Sequence, residues 1–422
     1  KMKSLTSYVF IICSFAITLC MASSYSSSKI EELAKANPTE YKASWFANKN
    51  SNKLQTKELQ AGYDYATSKK VPFIIDGIYY VDGQAQKYDS AQNSKASLIL
   101  RSNSTLKFEP GAKLITKPNN YSSYTTLVAR NVSNVNIISP VLIGDRASHK
   151  YSRNNTHEWG YGLAIYDSSR NITITNPVIE DMTGDGIYIG REWGSAKDNP
   201  PKNVQISNAK ISKVRRNGIT IASVDGLTIK KPIISDISDK YNTVAPSAAI
   251  DIEPEESSKT EKSSIKNVVI DSLTAIRVKS PIQTNLTDKR TVDVKFTGIT
   301  NLIDSTSSAL IFAYDNTLDT KSITGGITID NLIIKGSEFA PNLSLKQDNF
   351  RFNIKNLSSE KDMTVYLIGN TKDISKYKGF YIQNIDSKAK IKAKYNFDYA
   401  TKKPQKLEKP KYMINYPIEI SR

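Results

Sequence analysis

Cysteine and histidine are almost absent from this chain. Its 422 residues hold two cysteines, Cys13 and Cys20. Beyond residue 20 there is thus no disulfide framework and no thiol chemistry. The two histidines, His149 and His157, lack the spacing of a zinc site. No apolar run reaches bilayer length. The run Tyr8 to Leu19 follows Lys1 and Lys3 and leads into Ala22, Ser23 and Ser24. That is the pattern of a bacterial secretory signal, with cleavage expected after Ala22 and a secreted, periplasmic or cell-surface location. Lipidation at Cys20 is the weaker alternative, since Leu19 is larger than that signal normally tolerates. Acids are outnumbered, 41 against 58 Lys and Arg, for a net charge of +17. For an exported chain this points to an anionic partner, an acidic polysaccharide rather than nucleic acid. A lysine-rich coding bias would read the same way. There is also no phosphate loop, no dinucleotide fingerprint and no Ser-His-Asp ordering.

What is present is a returning register. Asn171-Ile-Thr-Ile leads, fourteen residues on, to Asp185-Gly-Ile-Tyr-Ile, and Asn203-Val-Gln-Ile leads, fourteen residues on, to Asn217-Gly-Ile-Thr-Ile. Gly226-Leu-Thr-Ile and Asn267-Val-Val-Ile open further units. Short alternating runs at such a period describe a solenoid of stacked β-coils. Within each run Ile187/Ile189, Ile219/Ile221 and Ile250/Ile252 point one way and their neighbours the other. One coil cannot bury its apolar stripe, but stacked coils about 4.8 Å apart can. The expected fold is all-β, a single parallel β-helix. Residues 1–22 are expected as signal, 23–53 as a lead-in, 54–335 as the helix proper, and 336–422 as irregular coils and a tail. An amphipathic helix over 54–68, with Leu59, Tyr63 and Ala66 on one face, would cap the open end.

The opening, a helix, then Val71-Pro-Phe-Ile-Ile to Asp76-Gly77, then LILRSNSTLKFEPGAKLI at 98–115, resembles the pectin-lyase-fold superfamily. That superfamily of right-handed parallel β-helices includes polygalacturonases, pectate lyases and phage tailspikes. The resemblance covers roughly 54–335 and implies a right-handed coil and a carbohydrate-active protein. It leaves hydrolase, lyase, C5-epimerase and non-catalytic glycan binder open, because the fold carries them all. Gly-Asp-Asp, Gly-His-Gly and Arg-Ile-Lys, motifs of the polygalacturonases, are absent.

Aligning the coils on the recurring isoleucines gives outward columns: Ala164, Tyr188, Thr220, Asp251, Gln283; Tyr161, Asp185, Asn217, Ala248; and Tyr166, Gly190, Ala222, Glu253. Asp185, Asp251 and Glu253 thereby share one strip. Carboxylates at that separation suit acid and base, or acid and nucleophile, around a glycosidic bond. Asp185-Gly is equally ordinary turn chemistry. The acids around Asp251 and Glu253, with Glu255, Glu256 and Glu261 following, could also be a solvated loop or an oxygen-rich site for Ca²⁺. No other cofactor is implied and no protein metal ligand is assigned.

Four insertions interrupt the coils: Asp145–Trp159, Arg191–Pro201, Asp239–Ser247 and Pro254–Ser264. Solenoid loops often wall the binding cleft. In the first, His157 is a candidate acid or base with Glu158 as its support. Trp159 and Trp193 offer flat faces for sugar rings. Arg191, Arg215 and Arg216 suit carboxylate recognition, and Tyr188 suits substrate contact or proton transfer. Each of these could instead be ordinary packing or surface. The sequence sets no oligomeric state.

Overall fold

A computed structural model describes Glu32 and residues 36–89, 94–192, 199–237, 244–254, 264–278, 280–286, 291–302, 309–315, 324–336, 339–344, 350–360, 363–368, 380–382, 385–387, 391–398, 403–406 and 418–420. The expected signal 1–22, Trp193, and Glu255, Glu256 and Glu261 lie outside the described residues.

The alternation of β-branched and polar residues becomes a parallel β-helix. Among the described residues, twenty-two strands form one hydrogen-bonded system and twelve form a second. The smaller sheet runs from Leu98–Ile99 to Lys403–Lys406 and carries the candidate site. The expected interior column is present: Leu163, Ile187, Ile219, Ile250 and Ile282 pair in successive parallel register and are fully buried. A charge placed in that column would have neither water nor partner.

The corners explain the Asn at the start of each unit. Asn134, Asn171, Asn203 and Asn267 hold φ between 52° and 58°, a left-handed conformation that Asn tolerates. Their side chains form a ladder, Asn134 to Asn103 at 2.8 Å, Asn171 to Asn134 at 3.0 Å and Asn203 to Asn171 at 3.3 Å. Where the ladder would continue stands Gly226, at φ +85, which meets the same demand with no side chain.

The N-terminal end is closed as expected. Helix Thr56–Ser68 buries Leu59, Tyr63 and Ala66. Tyr63 packs edge-on to Phe73 at 6.1 Å and its hydroxyl meets Ser104 Oγ at 2.6 Å. The pairing begins before 54, since Tyr41–Lys42 lies parallel to Phe73–Ile74. It also continues beyond 335: Phe350–Ser359 stacks on Thr324–Lys335 in register, and Phe380–Ile382 and Ile385–Ser387 stack on it in turn. Among the described residues no helix is long and apolar enough to cross a membrane.

Candidate functional site

Three strands of the smaller sheet and the turns leading into them build the site. Ile187–Gly190, Ile219–Ile221 and Ala248–Ile252 pair with Tyr188 beside Thr220 and Thr220 beside Asp251. One turn earlier, Asp185 lies beside Asn217 and Asn217 beside Ala248, through the Gly186 N–H to Asn217 O and Gly218 N–H to Ala248 O bonds. The columns expected from the sequence are therefore the columns of the fold.

Arg216 is the hub. Its guanidinium donates to Asp185 Oδ2 at 3.0 Å and to Glu253 Oε2 at 3.1 Å. Asp251 Oδ2 lies 4.0 Å away and Glu158 Oε2 lies 3.7 Å from Nε. Four carboxyls thus surround one buried cation. Among the described residues no group of three or more His, Cys, Asp or Glu is arranged to hold a metal.

The four acids are not equivalent. Asp185 is fully buried and fully bonded, accepting from Arg216, from Thr220 Oγ1 at 2.8 Å and from the Asn217 N–H at 3.0 Å. Burial pushes its carboxyl up to about 6, against the pull of Arg216 and those two donors. Asp251 is also fully buried. Its Oδ2 accepts from Asn217 Nδ2 at 2.9 Å, but its Oδ1 has no donor among the described residues. Burial, then the like charge of Glu253, hold Asp251 well above the usual carboxylate range, and a hydrogen bond between the two carboxyls adds to this. Asp251 therefore holds a proton to higher pH than an exposed carboxyl does. Glu253 reaches the surface, with a side chain 21% exposed, and is steadied by Asn285 Nδ2 at 2.9 Å.

Of the other candidates, Glu158 joins the cluster and Trp159 stands beside it, 47% exposed. His157 does not join it. It is 1% exposed, its Nε2 accepts from the Ser152 N–H at 3.0 Å, and its Nδ1 meets His149 Nε2 at 2.9 Å and Tyr121 O at 3.1 Å. His149 in turn meets Asp145 at 2.8 Å. Burial lowers the His157 pKa, so the ring is neutral and inward-facing. It fastens the insertion, and Glu158 supports Arg216 rather than His157. Arg215 also turns away from the carboxylates. Its Nη1 donates to the carbonyls of Thr156, His157 and Thr183 at 2.7, 3.0 and 3.4 Å, and Tyr151 lies over it at 4.5 Å. Tyr188 is buried against Tyr161, ring centroids 5.1 Å apart, and Arg191 is buried just past Gly190.

The register sets Asn217 and Thr220 in the columns but does not show that they, with Asn285, are the neutral residues that hold the acids. Nor does it point to the fastening of the hairpin Gln86–Asp89 and Ser94–Ala96, whose Tyr88 and Ser94 both donate to Glu192 at 2.7 Å. A usable signal exists for Asn217: it repeats the Asp185-Gly-Ile pattern one coil later with an amide in place of the acid.

Residues 139–311 match the family described as the right-handed beta helix region. The chain is 27% identical over 215 residues to the SPbeta prophage-derived uncharacterized protein YorA of Bacillus subtilis (strain 168), covering 48% of the chain and 36% of that protein. It is 29% identical over 182 residues to the uncharacterized protein YclG of the same organism, covering 42% of the chain and 31% of that protein. The matches thus span about a third of each relative's length. Among solved structures it is similar to the tailspike protein of E. coli bacteriophage HK620 in complex with a pentasaccharide. There the TM-score is 0.57 at 11% identity, with 87% of this chain and 67% of that one covered. The chain is a right-handed parallel β-helix, as the match and the tailspike likeness both have it.

Proposed function

We propose that this protein is an exported carbohydrate-active enzyme that hydrolyses glycosidic bonds of an acidic polysaccharide. The observation that carries the reading is the pairing of Asp251, fully buried, with Glu253, partly exposed, on one strip beside Arg216. A buried, protonated Asp behind a partly exposed Glu is a proton source at the surface of the helix, and glycoside cleavage needs a protonated carboxyl at the leaving oxygen. Asp185 serves as the counter-ion that orients Arg216. Trp159 supplies a flat face for a sugar ring. The bound pentasaccharide of the tailspike supports a glycan as the ligand class.

Arg215 and Arg216 weigh against the lyase and epimerase readings. Those reactions need a cation to neutralise a uronate carboxylate, and both guanidiniums are already engaged, one by carbonyls and one by acids. The acidic character of the substrate rests on the basic exterior. Lys107, Lys202, Lys210, Lys230, Lys266 and Lys295 stand exposed on outward strand positions of the larger sheet. They attract a polyanion whose scissile unit then meets the acid cluster. The apolar leader Tyr8 to Leu19 supports export.

The test is incubation with a panel of acidic and neutral polysaccharides, reading new reducing ends and ultraviolet absorbance from unsaturated products. Reducing ends without absorbance are expected, with binding that weakens as salt rises. Absorbance would make the enzyme a lyase. No product from any glycan, together with salt-insensitive binding, would overturn the reading.

A further inference from the structure

We infer that Glu158 is the second catalytic carboxylate of this site, acting across Arg216 from Glu253. The inference rests on the hydrolytic reading above. Within the cluster the Asp185 and Asp251 side chains are 0% exposed, while those of Glu158 and Glu253 are each 21% exposed. Only the latter two can meet a sugar. Asp185 is further excluded because both its oxygens are committed to donors.

A second observation points to a ligand at the same place. Arg216 Nε is a buried N–H with no acceptor among the described residues. Glu158 Oε2 at 3.7 Å is near enough to pair electrostatically and too far to accept a hydrogen bond. Leaving such a buried donor unmet is costly, the more so when it is charged. An oxygen entering between Glu158 and Arg216, a water or a sugar hydroxyl, would meet it and would also touch the carboxylate.

Glu158 is mounted rigidly although it comes from an insertion. Arg215 grips the carbonyls of Thr156 and His157 just before it. Its own carbonyl lies against Gly184, where a Cβ would stand 2.2 Å from that oxygen, so only glycine permits the contact. Thr156 Oγ1 donates to Oε1 at 2.9 Å, leaving Oε2 toward Arg216. The Asp145–His149–His157 chain locks the base of the insertion. These residues position Glu158 and do not touch the substrate.

The step balances as follows. As the bond from the anomeric carbon to the leaving oxygen breaks, that oxygen takes the proton offered by the Asp251–Glu253 pair. A water oxygen bonds to the anomeric carbon, and its proton passes to Glu158. Water is the only co-reactant.

The experiment uses the full chain and the polysaccharide that the wild type cleaves. Glu158→Gln should lower kcat by at least about a hundredfold, with KM and melting temperature unchanged. Glu158→Ala should be equally slow and be rescued by azide, with a glycosyl azide as product, because a small anion enters the space the carboxylate leaves. Near wild-type turnover in Glu158→Gln, with Glu253→Gln inactive, would overturn the inference and leave the hydrolytic reading standing. A slow Glu158→Ala without azide rescue would make Glu158 structural. A wild type that cleaves nothing removes the reading and this inference together.

Discussion

Asn217 and Asp185 hold the same register position on successive coils, and the Asn217 N–H donates to Asp185 Oδ1 at 3.0 Å. The Asn217 side chain then reaches the following coil. Its Nδ2 donates to Asp251 Oδ2 at 2.9 Å and its Oδ1 accepts from the Ala248 N–H at 3.0 Å. One residue, through its backbone N–H and its side-chain amide, thus links three coils and both buried acids. An Asp in its place could accept from Ala248 but could not donate to Asp251. The asparagine is therefore required by its chemistry and not merely by turn preference.

Asn217→Ala removes the donor to Asp251 and the acceptor for the Ala248 N–H at once. Both remaining groups are buried, so each loses its partner without gaining water. The expected loss is about 1–3 kcal/mol per group left unsatisfied. Urea unfolding of the variant beside the wild type measures it, and an unchanged midpoint would mean that other groups take over both bonds.

Arg216→Met should be more damaging. It keeps much of the side-chain volume but leaves Asp185 buried without its counter-ion, so that it must either carry an unpaired charge or take up a proton. Breaking a buried pair by removing one partner costs about 3–5 kcal/mol. Adding Asp185→Asn to Arg216→Met should restore part of that loss, because the orphaned charge is then gone. A double mutant no more stable than Arg216→Met would show that the two residues are not energetically coupled.

Stability should also fall as pH rises across the mildly acidic range. Asp185 has an ordinary carboxyl value of 3.8 and is pushed up to about 6 in the fold. Between those values the folded chain binds more protons than the unfolded chain, so unfolding free energy decreases with rising pH. The contribution is fully present below about 3.8 and is lost once pH passes about 6. Asp251, also raised, acts with the same sign and extends the window upward. Asp185→Asn should flatten the slope between about pH 4 and 6, as read from denaturant midpoints across a pH series. An unchanged slope would mean that Asp185 is not the titrating group.

Much of this was legible in the sequence. The interior column of Ile187, Ile219 and Ile250, the capping helix and the outward strip of acids all follow from alternation and period, because a stacked coil repeats one local rule. Which acid faces solvent was not legible. Asp185 and Asp251 are buried while Glu253 and Glu158 are not, a distinction set by side-chain length and by a neighbouring insertion rather than by register. His157 misleads for a related reason. A histidine in a polar insertion reads as a proton carrier, yet here Ser152 and His149 occupy both its nitrogens. Arg215 and Arg216 are adjacent in sequence and opposite in role, since their side chains leave the backbone on different sides of the turn.

Asp251→Asn tests the proton source directly. A protonated Asp and an asparagine have nearly the same shape, and the new amide N–H could face Glu253. Its oxygen could still accept from Asn217. The variant should therefore fold and melt like the wild type. It cannot release a proton, so turnover should fall by at least about a hundredfold, the low end for general acid–base groups. Glu180→Gln, on a strand of the larger sheet, should leave turnover unchanged. Circular dichroism melts establish folding, and initial rates of reducing-end release give the activity. Full activity in Asp251→Asn would show that Glu253 acts without the buried acid behind it. A lowered melting temperature with unchanged turnover would assign Asp251 to the architecture of the coil alone.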